Sequence, residues 1–167
     1  MGVNVRKIAR RERYGICMTK EVLIHIKGIR FLDEADEADE PVQMVTYGVY
    51  SYRDGVHYVE YVEAGEENEQ DTYCTLRFSS EFFELKKKGE LNVHMLFEVG
   101  RKHQTCYDTP MGGLLLGLEA TAIGLQEAQE CMDVSVSYKM EANGEYLAEC
   151  DLSFHIESRR TTERAAV

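Results

Sequence analysis

Apolar and polar residues alternate with a period near two along most of the chain, from Val22 to Ile156. Turn-forming residues interrupt this alternation at roughly eight- to twelve-residue intervals, a spacing typical of an all-β sandwich or barrel and not of βαβ units. We therefore predict ten strands, at about residues 22–30, 42–52, 56–63, 71–78, 81–87, 90–98, 101–109, 113–124, 131–141 and 145–157.

The last predicted hairpin is the most informative, because its even-numbered positions are apolar on both arms, over 132–140 and 146–156. A two-residue turn at Asn143-Gly144 would set the apolar face of one arm against the polar face of the other. Since a one-residue slip flips every side chain, we predict the three-residue loop Ala142-Asn143-Gly144, with its glycine in the left-handed conformation. This register aligns two apolar pairs, Val136 with Cys150 and Val134 with Leu152.

Two earlier hairpins fit the same three-residue turn chemistry. The loop Arg53-Asp54-Gly55 sets Tyr50 opposite Tyr58 and Tyr47 opposite Tyr61. The loop Glu98-Val99-Gly100 yields four pairs: Phe97 with Arg101, Met95 with His103, Val93 with Thr105, and Leu91 with Tyr107. A meander of this length closes most easily on itself. The predicted fold is a closed, antiparallel, up-and-down β-barrel of eight to ten strands.

One segment, residues 112–130, also fits a helix. Its apolar residues Leu114, Leu118, Ala122 and Leu125 have the spacing of a helix face. Its four glycines disfavour a helix, and Thr121 and Ile123 favour a strand. We predict a strand that ends in a helical turn at residues 126–130.

The third hairpin supplies the candidate ligand site. It places Arg101, His103, Thr105 and Tyr107 on one face with apolar residues of the preceding strand. Inside a barrel, this arrangement suits a small, partly apolar ligand with a polar or anionic head. Tyr47 and Tyr61 are further candidates for its wall. The alternative is that side chains fill the barrel, and that the protein acts through its surface as a homodimer or interaction module.

Catalytic signatures are weak in this sequence. It contains no G-x-S-x-G elbow, P-loop or G-x-G-x-x-G motif. Cys106 and His103 have opposite parity on one strand, which argues against a Cys–His dyad. An enzyme acting on a small anionic substrate, with Arg101 and His103 converging in a pocket, is the weaker alternative. Five widely spaced cysteines, without a C-x-x-C motif, predict neither a metal site nor a cofactor.

Length and charge narrow these hypotheses. A chain of 167 residues with 44% hydrophobic residues suits one domain, and its net charge of −11 argues against nucleic-acid binding. No apolar run approaches the roughly 20 residues of a membrane span, so we expect a cytoplasmic protein. Five basic residues and one acidic residue in 1–17 predict a disordered tail, followed by the barrel at 18–158 and a disordered end at 159–167.

A distinctive turn motif marks a family resemblance. The run Tyr107-Asp108-Thr109-Pro110-Met111-Gly112, after Phe97-Glu98-Val99-Gly100, resembles the core signature of the YwiB-like bacterial proteins, a family of unknown function. Tyr47-Gly48-Val49-Tyr50 is similar to its N-terminal half. The resemblance covers residues 20–157 and implies a calycin-like barrel, related in architecture to lipocalins. The pair Lys87-Lys88 departs from it, because the family pattern leads us to expect an arginine there.

Overall fold

The computed structural model describes residues 19–28, 42–89, 92–109 and 112–159. They form one ten-stranded antiparallel sheet, in which the strands are β1 Lys20–Gly28, β2 Val42–Arg53, β3 Val56–Glu63, β4 Thr72–Phe78, β5 Phe82–Lys88, β6 Val93–Glu98, β7 Lys102–Thr109, β8 Gly112–Glu127, β9 Cys131–Ala142 and β10 Glu145–Ser158. The predicted all-β class is confirmed. The predicted tail at 1–17 lies outside the described residues, as do residues 160–167 of the predicted end at 159–167.

The sheet is a nearly closed barrel with a gap at one place. Its strand order is β6-β5-β4-β3-β2-β1-β10-β9-β8-β7, so that the first and last strands of the chain pair with each other. The sheet ends, β6 and β7, are joined by a tight turn. Within the described residues they pair only at the bridge between Glu98 and Arg101. We call this gap between β6 and β7 the seam.

The predicted three-residue turns are wrong. Asp54-Gly55 and Asn143-Gly144 are two-residue turns, with φ of 51° and 82° in the first and 50° and 84° in the second. Positive φ at both central residues matches the right-handed twist of the flanking strands. In the third hairpin, the Glu98–Arg101 bridge leaves only Val99-Gly100 as the turn.

These turns change the predicted pairs. In the last hairpin, a β-bulge between Tyr146 and Ala148 restores the apolar alignment, with Val136 opposite Leu152 and Val134 opposite Phe154. The described register of β2 and β3 runs without a bulge, so Tyr50 lies opposite Val59 and Gly48 opposite Tyr61. The four predicted β6–β7 pairs do not form where the structure describes both partners, and Leu91 lies outside the described residues.

The 112–130 segment is a strand without the predicted helical turn. Strand β8 pairs with β9 as far as Glu127, opposite Met132. A bulge between Ala120 and Ala122 shifts the inward-facing positions from even to odd numbers. Leu116 and Leu118 face inward before the bulge, and residues 123 and 125 are half-buried after it. This change of parity produces the apolar spacing that resembles a helix face.

Aromatic side chains fill one half of the barrel. Phe83 lies 5.5 to 6.1 Å, between ring centroids, from three other phenylalanines, and Phe97 lies 4.7 Å from Tyr138. The rings of this group are fully or almost fully buried: Phe78, Phe83, Phe97, Tyr138 and Phe154. Because this half is solidly packed, any interior space must lie toward the other end.

No helix long and apolar enough to cross a bilayer occurs among the described residues.

Candidate functional site

A cavity of about 350 Å³ lies in the barrel beyond the aromatic group. Strands β1, β2, β3, β5, β6, β7, β8 and β10 contribute to its wall. Its apolar lining residues are Ile26, Met44, Leu85, Val93, Met95, Leu116, Leu152 and Phe154, and its polar ones are Tyr61, Glu63, Lys87, His94, Thr105, Cys106 and Tyr107. Its volume is near the lower end of the range of about 300–1,000 Å³ typical of ligand pockets.

The seam forms part of the cavity wall. Val93, His94 and Met95 line it from β6, and Cys106 and Tyr107 line it from β7. His94 and Cys106 are solvent-exposed, so the seam connects the cavity wall with solvent. Because β6 and β7 pair only beside their turn, the cavity lies where the two strands are no longer hydrogen-bonded to each other.

An ion pair is the charged part of the lining. Lys87 Nζ lies 2.8 Å from Glu63 Oε1, and both side chains are about three-quarters buried. They reach the interior because Leu85 and Lys87 alternate inward on β5, as Tyr61 and Glu63 do on β3. The ammonium group of Lys87 is already partly buried. Binding a ligand acceptor there therefore costs less desolvation than at a fully solvated lysine.

The groups beside this pair are neutral at physiological pH. Burial, reinforced by the neighbouring Glu63 carboxylate, raises the pKa of the Cys74 thiol to about 11. Burial also raises the pKa of the Tyr61 hydroxyl far above its usual range, with smaller contributions from Cys74 and Glu63. Tyr61 therefore offers a hydroxyl, and Lys87 is the cation of this wall.

Three of the six predicted ligand residues line the cavity, and three do not. Tyr61, Thr105 and Tyr107 line the cavity. Arg101 does not: its side chain is 72% exposed and contacts Glu98 Oε2 at 3.1 Å. His103 is half-buried outside the cavity lining, with Nε2 3.5 Å from Glu98 Oε1. Tyr47 is 58% exposed on the outside of the barrel.

Tyr47 and Arg101 are misplaced for two separate reasons. The two-residue turn at Asp54-Gly55 puts even positions of β2 and odd positions of β3 inside, so Tyr61 faces the interior and Tyr47 the solvent. Arg101 directly follows the turn that joins the seam strands and pairs with Glu98 at the closed end of the seam. Sequence reasoning missed Lys87, Glu63, His94 and Cys106. The alternation Phe83, Leu85, Lys87 was the signal that could have placed Lys87 inside.

A second buried polar group lies in the filled half. The Tyr50 hydroxyl lies 2.8 Å from His57 Nδ1, and His57 Nε2 lies 3.2 Å from Glu127 Oε1. The His57 ring stacks on Phe78, with centroids 5.0 Å apart. Burial lowers the pKa of His57 to about 4, which makes it a neutral core histidine at physiological pH. Within the described ranges, this group included, no cluster of three or more His, Cys, Asp or Glu side chains could hold a metal ion.

Fold and cavity together define an antiparallel barrel with a partly apolar interior pocket. Residues 24–154 match the family model of DUF1934, a domain of unknown function, and the chain belongs to this family. Its fold is similar to that of the ywiB protein from Bacillus subtilis, whose crystal structure aligns with a TM-score of 0.68. Sequence identity is 17%, over 87% of this chain and 97% of that one. None of the curated proteins matches significantly.

Proposed function

We propose that this protein is a calycin-like binding protein of the cytoplasm, which holds a small amphipathic ligand in the 350 Å³ cavity. The observation that carries the proposal is the composition of the lining, in which a few polar side chains accompany many apolar ones. Apolar side chains such as Leu85, Met95 and Phe154 suit the body of the ligand, whereas Lys87, Thr105 and Tyr107 offer donors to its head. Ligand sites commonly combine an apolar wall with a few placed polar groups in this way.

Lys87 takes the role that the sequence suggested for Arg101. A carboxylate or another small anion would bind its ammonium group in competition with Glu63, which lies 2.8 Å away. The head of the ligand is therefore expected to be singly charged, because a larger negative charge would be repelled by the Glu63 carboxylate.

The enzyme alternative required Arg101 and His103 to converge in a pocket, and neither residue lines the cavity. The alternative of a filled barrel fits only the half that contains the aromatic group. Binding in the unfilled half is the function that the geometry supports best.

A panel of short and medium-chain carboxylic acids, with the matching alcohols as neutral partners, tests the proposal by thermal unfolding. A ligand at a hundred times its dissociation constant adds about 2.7 kcal/mol to the free energy of unfolding. We expect acids to stabilise the protein more than alcohols of equal length. The absence of any stabilisation across both series would refute the proposal.

Lys87→Met tests the head-group contact, with Lys86→Met as its matched control because Lys86 is the exposed neighbour on the opposite face of β5. We expect the K87M variant to bind the acid about tenfold more weakly, which is a loss of about 1.4 kcal/mol in binding free energy. Its binding of the alcohol should be nearly unchanged. K86M should leave both unchanged. Equal losses for acid and alcohol in K87M would show that Lys87 does not contact the head group.

A further inference from the structure

The cavity wall contains a carboxylate and an ammonium group that are already paired with each other. Glu63 Oε1 and Lys87 Nζ lie 2.8 Å apart, and both side chains are about three-quarters buried. Among the described residues of the lining, Lys87 is the only lysine or arginine. This part of the wall therefore carries no net charge before a ligand enters.

A carboxylate head group would disturb this balance. It would bring a second carboxylate to Lys87, so that one ammonium group faces two negative charges beside apolar residues such as Leu85 and Val93. Two carboxylates that share a site destabilise each other's charged form, and one of them then holds a proton more tightly. Uptake of a proton removes the excess charge and replaces repulsion with a charge-assisted hydrogen bond between the two carboxyl groups.

The other groups around Glu63 do not supply a second positive charge. Tyr61 and Cys74 lie opposite each other on β3 and β4, and because burial raises the pKa of both groups, both stay neutral. Lys86 and Lys88 are exposed on the opposite face of β5 from Lys87. The loop that follows Glu63 adds four exposed acidic residues: Glu66, Glu67, Glu69 and Asp71.

The remaining titratable groups of the lining lie on the seam strands. They are His94, Cys106 and Tyr107. His94 Nε2 lies 2.9 Å from Glu84 Oε2, so its ring already contacts a carboxylate of its own. The described lining residues of β1, β2, β8 and β10 carry no titratable side chain. Glu63 is therefore the group best placed to share a proton with a head group at Lys87.

We propose that the cavity selects weak carboxylic acids by binding the head group together with one proton, which the head group shares with Glu63. This inference rests on the ligand-binding function proposed above. Lys87 donates to the resulting pair of carboxyl groups, which carries a single negative charge. A sulfonate of the same chain length does not accept a proton in water, so it keeps its full charge beside Glu63 and binds weakly. The site thus distinguishes anions by their basicity.

Isothermal titration calorimetry with octanoic acid, octanol and octanesulfonate tests the proposal. Titrations in two buffers of different ionisation enthalpy should show uptake of about one proton with octanoic acid and none with octanol. The affinity for octanoic acid should fall about tenfold per pH unit from about pH 6.5 to about pH 8, a range above the ordinary pKa values of carboxyl groups. Octanesulfonate should bind at least about tenfold more weakly than octanoic acid at about pH 6.5.

Glu63→Gln identifies the group that shares the proton. The amide cannot take up the proton, and it leaves the ammonium group of Lys87 without a competing carboxylate. We expect the E63Q variant to bind octanoic acid without proton uptake, with an affinity nearly independent of pH, and to bind octanesulfonate more tightly than the wild type does. His94, Cys106 and Tyr107 are present in both proteins, so the comparison removes any contribution of their titration.

Glu60→Gln is the matched control, because Glu60 is exposed on the opposite face of β3. The E60Q variant should show the proton uptake and pH dependence of the wild type. Equal affinity for octanol in the wild type and both variants would show that the cavity is intact. The proton uptake of the wild type and its discrimination against octanesulfonate test the proposal even if E63Q does not fold.

Three results would overturn the proposal. The first is binding of octanoic acid and octanol in which the acid takes up no proton, a result that leaves the ligand-binding function standing. The second is an E63Q variant that retains the proton uptake of the wild type. The third is an affinity of the wild type for octanesulfonate equal to that for octanoic acid. If no acid or alcohol of the panel binds, the ligand-binding function fails and this inference fails with it.

Discussion

His57 shows how burial can dominate a charged partner at the scale of one residue. Glu127 lies 3.2 Å from its Nε2 and by itself favours the protonated ring. The Glu127 side chain is 47% exposed, however, so that solvent screens its charge, whereas His57 is almost completely buried. Burial therefore prevails and lowers the pKa of His57 from 6.5 to about 4. Because the Glu127 carboxylate can only accept, the neutral ring is best placed with its proton on Nε2, which leaves Nδ1 to accept from the Tyr50 hydroxyl.

This shift predicts a loss of stability in mild acid. The unfolded chain binds a proton at His57 near pH 6.5 and the folded chain only near pH 4, so the stabilising effect is complete above pH 6.5 and lost as the pH falls toward 4. We expect a decrease of up to about 3 kcal/mol in the free energy of unfolding over this window. His57→Phe, which keeps a ring against Phe78, should remove that decrease in urea titrations.

His25→Phe is the control, because His25 is exposed on the outer face of β1. The free energy of unfolding of the H25F variant should depend on pH as that of the wild type does. If the free energy of unfolding fell equally with pH in the wild type and in H57F, the assignment of this pH window to His57 would be contradicted.

Residue parity in the sequence predicted part of the cavity wall. Thr105 and Tyr107 were identified because alternate positions of a strand share one face. Tyr61 was identified through its predicted pairing with Tyr47, which the structure does not contain. Lys87 was missed although it continues the inward alternation of Phe83 and Leu85, because a charged side chain inside a barrel is unfavourable without a partner. Only the partner Glu63, 24 residues away in the chain, makes its position in the interior favourable.

At the scale of elements, strands were predictable and their registers were not. In the last hairpin, a three-residue loop and a two-residue turn with a bulge both preserve the alignment of apolar faces. The sequence pattern cannot distinguish them, although they shift Val136 from Cys150 to Leu152. The bulge in β8 also hides the strand pattern, because it changes the inward-facing positions from even to odd numbers. For this reason a helix also fitted that segment.

The two-residue turns predict a specific cost for a side chain at Gly144. Its φ is 84°, and a Cβ added there would meet no atom within 4 Å beyond its chain neighbours, so the cost of Gly144→Ala is conformational and not steric. We expect the free energy of unfolding to fall by about 1–2 kcal/mol. Gly113→Ala is the control, since its Cβ would meet only Cys106 Sγ at 3.8 Å and its φ is not positive.

Urea denaturation of both variants measures the difference. A G144A variant as stable as G113A would show that this turn does not hold a left-handed conformation in solution.

At the scale of the molecule, the meander pattern predicted the barrel but not the seam. Closure is a property of strand pairing around the whole ring, and local alternation carries no information about it. In the structure, the turn of the seam is held by β8 as well, because the Gly100 amide donates to the Ala120 carbonyl at 3.2 Å. This contact anchors one end of the seam, so that the cavity is accessible farther along β6 and β7.

The seam predicts which thiol reacts first. Among the four cysteines of the described residues, Cys106 is exposed, Cys131 is half-buried, and Cys74 and Cys150 are buried. We expect a soluble thiol reagent to modify Cys106 faster than the other three, and a cavity ligand to slow this reaction, because Cys106 also lines the cavity. A Cys17→Ser background removes the fifth cysteine, and Cys106→Ser in that background identifies the fast phase. A rate that the ligand leaves unchanged would place the bound ligand away from the seam.

The pairing of the first strand with the last has a consequence for synthesis of the protein. His25 and its neighbours on β1 pair with β10 residues about 130 positions later in the chain, as the contact between His25 and Glu157 illustrates with a separation of 132. Contacts this distant in sequence form slowly. A ribosome therefore releases nearly the entire chain before β1 acquires its second neighbour, and until then β1 remains an open edge that chaperones or other nascent chains can bind.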